Sequence, residues 1–172
     1  MTELQPRALN KKDFAAFGEV IELDGAKNFP INQGLTTRYH DLCTLDFAEA
    51  GGRPIVSVFR SAPLPLPHRV RVMERHPKGS QAFLPADDLP FLVLVAGGGA
   101  PPRAADMSLF ISNGRQGVNL YKNTWHHFQI VLGKQRDFIV IDRGGDDENL
   151  EEVEIKEEVW IPESAGEITS ST

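Results

Sequence analysis

The chain has 172 residues, 41% of them hydrophobic, with 18 basic and 24 acidic residues and a net charge of −6. That length suits one domain, residues 1–172, with a single substantial core, and the acidic balance argues against nucleic acid or an anionic membrane as a partner. Cys43 is the only cysteine; no intrachain disulfide can form, which suits a reducing cytoplasm.

Met1–Arg7 carries no apolar run, so no signal peptide is expected. The most apolar stretch, Phe91 to Ala96, is far too short to cross a bilayer. Asn10 is placed to cap a short helix over 11–17, supported by Asp13, with Phe14 and Phe17 on one face and Gly18 at its end. A strand follows at 19–23. Residues 24–34 read as a loop, because Gly25, Pro30 and Gly34 punctuate them. Strands are expected at 38–45 and, after the Gly51-Gly52 turn, at 54–60. Cys43 falls in the first of these and reads as a buried structural thiol rather than a nucleophile.

Pro63, Pro65 and Pro67 interrupt regular structure. Further strands are expected at 69–76, 81–84, 91–96, 107–112, 117–121, 126–132, 137–142 and around 153–155. Gly97–Gly99 with Pro101-Pro102 reads as a flexible connection. The acidic run beginning Asp146-Asp147-Glu148 reads as a solvated edge. Residues 163–172 read as a flexible tail, with Ser170-Ser171-Thr172 as its disordered end. Many short, closely spaced strands and little helical periodicity indicate an all-β sandwich or barrel with one or two short peripheral helices.

Two stretches carry the chemistry. In 69–76, Val70 and Val72 share a face with Glu74 and His76 if the strand is regular. If the valines face a core, a carboxylate and an imidazole face it too, which is costly unless they are paired. In 126–132, the same period puts His126 on the face of Phe128, Ile130 and Leu132. Together with Gln81, these residues predict a polar pocket inside an apolar β-structure, and such clusters mark functional sites.

These stretches resemble the two signature motifs of the cupin superfamily. Glu74, His76 and Gln81 stand where the first motif has its ligands, and Tyr121–His126 stands in the place of the second. A narrower pattern runs through Asn32-x-Gly34, Arg38-Tyr39-His40-Asp41, Glu74-Arg75-His76-Pro77, Gln81–Pro85, Gly117-Val118-Asn119, Asn123-Thr124-Trp125-His126-His127 and Asp142-Arg143-Gly144-Gly145. In that order, over 1–162, these motifs are similar to the ureidoglycolate lyase family, formerly called ureidoglycolate hydrolase.

The resemblance implies a cupin-type jelly-roll barrel, a homodimer, and cleavage of ureidoglycolate to glyoxylate and urea in allantoin catabolism. Such a reaction needs a base for the hydroxyl proton and an acid for the departing nitrogen. Glu74 and His126 are the candidates, in either order, with His76 orienting them and Gln81 binding a substrate oxygen. Lys78, Arg38, Arg60 and Arg143 are candidates for the substrate carboxylate, with Asn32 as a further contact. Asn119 is a weaker candidate, and Trp125 reads as packing. Glu74, His76 and His126 also form a set able to hold a divalent transition ion such as nickel, iron or zinc; metal-free acid/base catalysis is the equal alternative. Hydrolysis releasing ammonia, and a non-catalytic cupin binding a small carboxylate, are the competing readings.

Overall fold

The computed structural model describes residues 1–170, with side chains through residue 167. The fold is all-β and cupin-like, and the one α-helix among the described residues is the short Lys11–Phe14. Asn10 caps that helix by accepting a hydrogen bond from the Asp13 N–H, and Phe14 and Phe17 meet with ring centroids 6.0 Å apart, as the sequence predicts.

Two sheets carry most of the structure. The five-stranded sheet runs in the spatial order Gly18–Ile21, Gly117–Leu120, Gln81–Pro85, Arg136–Gly144, Arg53–Ser61. The six-stranded sheet runs Glu151–Glu154, Val72–Arg75, Trp125–His126, Leu92–Ala96, Met107–Ile111, Arg7–Ala8. A small third sheet joins Thr2–Glu3, Val159–Ile161 and His68–Arg69. Side chains from the two large sheets enclose an inner core that includes Phe83, Val93, Val95, Phe110, Val118 and Phe138. The other face of the six-stranded sheet builds an outer core with Leu4, Val70, Val159 and Ile161. Leu92–Ala96 is therefore buried on both sides: Leu92, Leu94 and Ala96 belong to the outer core, Val93 and Val95 to the inner one. Double burial explains why this strand is an unbroken apolar run instead of an alternating one.

The two motif strands are less regular than simple alternation predicts. His68–Arg69 pairs in the small sheet, whereas Val72–Arg75 belongs to the six-stranded one. The chain changes sheets between them, so the phase slips and Val70 joins Met73 in the outer core. Glu74 still faces inward, but not because it shares a face with Val70. Likewise only Trp125–His126 is a strand in the second motif. Trp125 and Ile130 go to the outer core, Val131 to the inner one, and Phe128 is 44% exposed. His126 points inward without sharing the face of Phe128, Ile130 and Leu132.

Other boundaries also move. The expected loop at 24–34 contains the strand Asn28–Ile31, which pairs with Thr36–Tyr39 in a separate hairpin. Pro30 and Gly34 made that stretch read as a loop. Pro30 is tolerated because a two-stranded ribbon consists only of edges. The Gly97–Gly99 connection is tied down: Arg75 donates to the Gly99 carbonyl and the Trp125 indole to that of Ala100. Residues Glu163–Ser170 form 3-10 turns, and Ala165 is buried in the outer core, in place of the expected flexible tail; Ser171 and Thr172 lie outside the described residues.

Phe138 is fully buried, its ring edge-on to Phe91 at 5.1 Å between centroids. Phe138→Ala is expected to cost roughly 3–5 kcal/mol of stability, read as a lower urea midpoint with an unchanged m-value.

Candidate active site

The inner core is apolar except at one end, where Glu74, His76, Gln81 and His126 converge. Strand register places them. His126 lies opposite Glu74 across the antiparallel pair Trp125–His126 and Val72–Arg75. Gln81 opens the strand Gln81–Pro85 of the five-stranded sheet and pairs with Leu120. His76 follows Arg75, and its carbonyl accepts the Asn123 N–H at 3.0 Å. Asn123 supplies that N–H from a left-handed backbone, φ 67°, which asparagine tolerates better than most residues.

Each imidazole is oriented by a backbone carbonyl. His126 Nδ1 lies 3.0 Å from the Thr124 carbonyl oxygen, and His76 Nδ1 lies 2.8 Å from that of Asn149. A carbonyl only accepts, so both Nδ1 atoms carry the proton and both Nε2 atoms of the neutral rings present lone pairs. Both Nε2 atoms are buried without a hydrogen-bond partner. His126 Nε2 lies 3.3 Å from Glu74 Oε1, close enough for an ion pair but not aligned as a hydrogen bond. The ligand atoms of Glu74, His76 and His126 lie within 4.8 Å of one another. Three electron-pair donors so close repel unless a proton or another cation sits among them.

The contact with His126 holds the Glu74 carboxyl below its ordinary value, outweighing the opposing effect of burial. Burial, helped by the neighbouring His126, pushes His76 down. Gln81 donates to Asp142 at 3.2 Å, while its own amide oxygen and Asp142 Oδ1 are buried without partners. The cluster therefore offers several unmet polar atoms to a ligand. Beneath it, the inner core leaves a cavity of about 20 Å³ lined by Phe83, Phe91, Val118, Leu120 and Phe128, room for about one water.

The other predicted residues divide in two. Lys78 and Arg143 are close to the cluster in the chain fold but engaged: both bind Asp147, at 2.8 and 2.9 Å. The Arg143 side chain is 1% exposed and also donates to the Glu49 carbonyl, so it clamps the turn at 49–51 against the loop at 147. A Cβ at Gly79 would stand 2.6 Å from Arg143 Cβ, which makes that glycine part of the clamp. Asn32 and Arg38 sit on the exposed hairpin, and among the described residues neither bonds to the cluster. Arg60 pairs with Asp137 on the surface. Asn119 is fully buried and anchors Thr44 and Glu19. Trp125 packs in the outer core beneath the Arg75 guanidinium, 4.5 Å away.

The alternation that puts His126 on one face assigns His127 to the other. It is 6% exposed, hydrogen-bonded to the Phe128 carbonyl and edge-on to His68. The doubled histidine was the available signal, and its burial follows from the irregular backbone after His126. Cys43 is half-buried, and burial raises its thiol, as expected of an inert side chain.

Comparison with known proteins follows from this geometry. The sequence model described as Ureidoglycolate lyase matches residues 1–162. The chain belongs to the ureidoglycolate lyase family. It is 48% identical over 165 residues to the Ureidoglycolate lyase of Burkholderia mallei (strain NCTC 10229), covering 96% of each chain. It is similar to the Ureidoglycolate lyase of Pseudomonas putida (strain W619) at 46% over 161 residues, 94% of this chain and 96% of that one. The Ureidoglycolate lyase of Pseudomonas syringae pv. tomato is 46% identical over 152 residues, 88% of this chain and 89% of that one. Within the family pattern, Glu74, His76, Gln81, His126 and Asp142 are members that the fold gathers into one cluster.

Two outcomes test this account. Burial lowers His127 from the ordinary 6.5 to about 4. Its folded value lies below its unfolded one, so its contribution is complete above about pH 6.5 and is lost as the pH falls towards 4. The loss is on the order of 3 kcal/mol, with His68 and His76 adding in the same direction; urea midpoints from pH 7 to 4 should fall, and His127→Gln should flatten the decline. Arg143→Met is expected to lower the thermal midpoint, because it leaves the Glu49 carbonyl and Asp147 without their buried donor, whereas a purely substrate-binding arginine would change KM alone.

Proposed function

We propose that this chain is a ureidoglycolate lyase, releasing urea from ureidoglycolate to leave glyoxylate. The observation that carries the reading is the Glu74–His126 pair, an ionised carboxylate 3.3 Å from an imidazole nitrogen, in a chain of that family. The substrate carbon bears a hydroxyl, a carboxylate and a urea nitrogen. Glu74, held ionised, takes the hydroxyl proton; His126, carrying a second proton on Nε2 as the imidazolium, delivers that proton to the departing nitrogen; the proton on Glu74 then passes to His126 Nε2 across their contact. One hydroxyl hydrogen has moved to nitrogen, the carbon–nitrogen bond has broken, and the carbon–oxygen single bond has become a carbonyl. His76, fixed by the Asn149 carbonyl, holds the far side of the cluster, and the free Gln81 amide oxygen accepts a substrate N–H or O–H.

The same three residues fit a divalent transition ion. Two unprotonated Nε2 atoms and a carboxylate face one point, and each imidazole hands its other N–H to a carbonyl, the usual support of a metal-binding histidine. Such an ion, when bound, would polarise the hydroxyl or the departing urea. The alternative is a proton held between Glu74 and His126, sufficient for acid/base chemistry on so activated a substrate. The lone thiol and the metabolic role support a cytoplasmic location. No helix among the described residues is long and apolar enough to cross a membrane. A homodimer is part of the reading: Arg53–Ser61 is a free edge strand whose outward Val56 and Val58 are 71% and 63% exposed, a surface that calls for cover.

Purified protein given racemic ureidoglycolate should release glyoxylate and urea together; ammonia in place of urea would make it a hydrolase, and no product above a no-enzyme control would leave a binding protein. Glu74→Gln and His126→Ala should each lower kcat by roughly 10²–10⁴-fold with the fold retained by circular dichroism, and full activity in either would remove that residue from the chemistry. Loss of activity on chelation, restored by one added metal and absent from Glu74→Gln, would establish the ion; indifference to chelator would establish the proton.

A further inference from the structure

The hairpin formed by Asn28–Ile31 and Thr36–Tyr39 is the least supported element of the structure. Every residue from Asn32 to Tyr39 is exposed, Leu35 at 88%. Its strands pair only with each other, and a lone two-stranded ribbon is marginal in water. Yet its tip is held in a demanding shape, with Asn32 and Gln33 at φ 52° and 59° and the Asn32 amide donating to Thr36 Oγ1. Between Ala26 and His40 the segment carries two cations, Lys27 and Arg38, and no acid. Arg38 has no ion pair or hydrogen bond among the described residues.

The cluster lacks what this arm carries. The substrate is an anion, but the charged groups at the cluster are Glu74, Asp142 and Asp147 against Lys78 and Arg143, and both of those cations bind Asp147. Among the described residues, no unengaged cation faces Glu74. The arm of the same chain makes no hydrogen bond or ion pair with the cluster among the described residues. Gly18 pairs with Leu120, and Leu120 with Gln81, at the cluster end of the five-stranded sheet; Ile21 pairs with Gly117. The strand therefore leaves the sheet about 10 Å farther from the cluster, and the arm springs from that remote end through Glu22–Lys27.

We infer that the arm belongs to a second copy of this chain: in the homodimer, the hairpin of one subunit closes the cluster of the other and presents Arg38 to the substrate carboxylate. Each active site is then composite, with Glu74, His76 and His126 from one chain and Arg38 from its partner. A two-fold dimer exchanges such arms reciprocally, and the cationic ribbon meets an acidic mouth. This inference rests on the lyase reading of the cluster.

Subunit complementation tests it. Arg38→Ala alone should reduce kcat/KM by at least about tenfold, mainly through KM, with an unchanged melting curve, since Arg38 is exposed and unpaired. Co-expression of Arg38→Ala and Glu74→Gln chains with different tags, followed by tandem purification, yields the mixed dimer. It contains one site with both residues intact, and should show about half the wild-type kcat/KM per dimer. If Arg38 served its own subunit, both sites of the mixed dimer would be damaged and its activity would not exceed that of the parents; that result, a fully active Arg38→Ala protein, or an active wild-type monomer would overturn the inference. Wild-type protein that releases neither glyoxylate nor urea fails the lyase reading itself, and the two failures are thereby distinguished.

Discussion

The site depends on two hydrogen bonds that touch no substrate. The carbonyls of Thr124 and Asn149 each fix an Nδ1–H, and this alone decides that both Nε2 lone pairs face Glu74. Moving the proton of either ring from Nδ1 to Nε2 would replace a lone pair with an N–H and turn an assembly of electron-pair donors into an ordinary hydrogen-bonded core. The backbone positions follow from the sheets: Glu74 and His126 are register partners, and the Asn123 N–H ties the second motif to the His76 carbonyl. Chemistry is thus written first in the main chain, with the side chains pointing where it directs them.

The clamp around Arg143 is the second layer of the same arrangement. Asp147 between Lys78 and Arg143 is held well below the usual carboxylate range, first by Lys78 and then by Arg143. The loop carrying Asn149 is anchored by this carboxylate and by the Lys78 N–H donating to the Asn149 side chain. The carbonyl that orients His76 is therefore positioned by charges that never enter the pocket.

Much of this was legible in sequence, for reasons that can be traced. Leu92–Ala96 and Arg136–Gly144 were readable because burial imposes long apolar or alternating runs. Glu74, His76 and His126 were readable as inward because ionisable residues stood amid apolar ones in matching family motifs. The phase slips at Val70 and after His126 were not readable: alternation assumes one continuous strand, and both stretches change sheets or leave the ladder. The engagement of Lys78 and Arg143 with Asp147 was equally hidden, since nothing local shows which acid a cation will meet. The hairpin was missed because Pro30 and Gly34, breakers in a central strand, are harmless in a free ribbon.

The edges of the sheets carry one more consequence. Glu151–Glu154 closes the six-stranded sheet with three glutamates in four residues, and the opposite edge, Arg7–Ala8, is only two residues long. Neither favours the addition of a foreign strand. Arg53–Ser61 is the one long edge with outward valines. This edge is satisfied after one pairing, because the pairing consumes the strand that made it. The acidic run, unremarkable as chemistry, thereby guards the chain against open-ended aggregation.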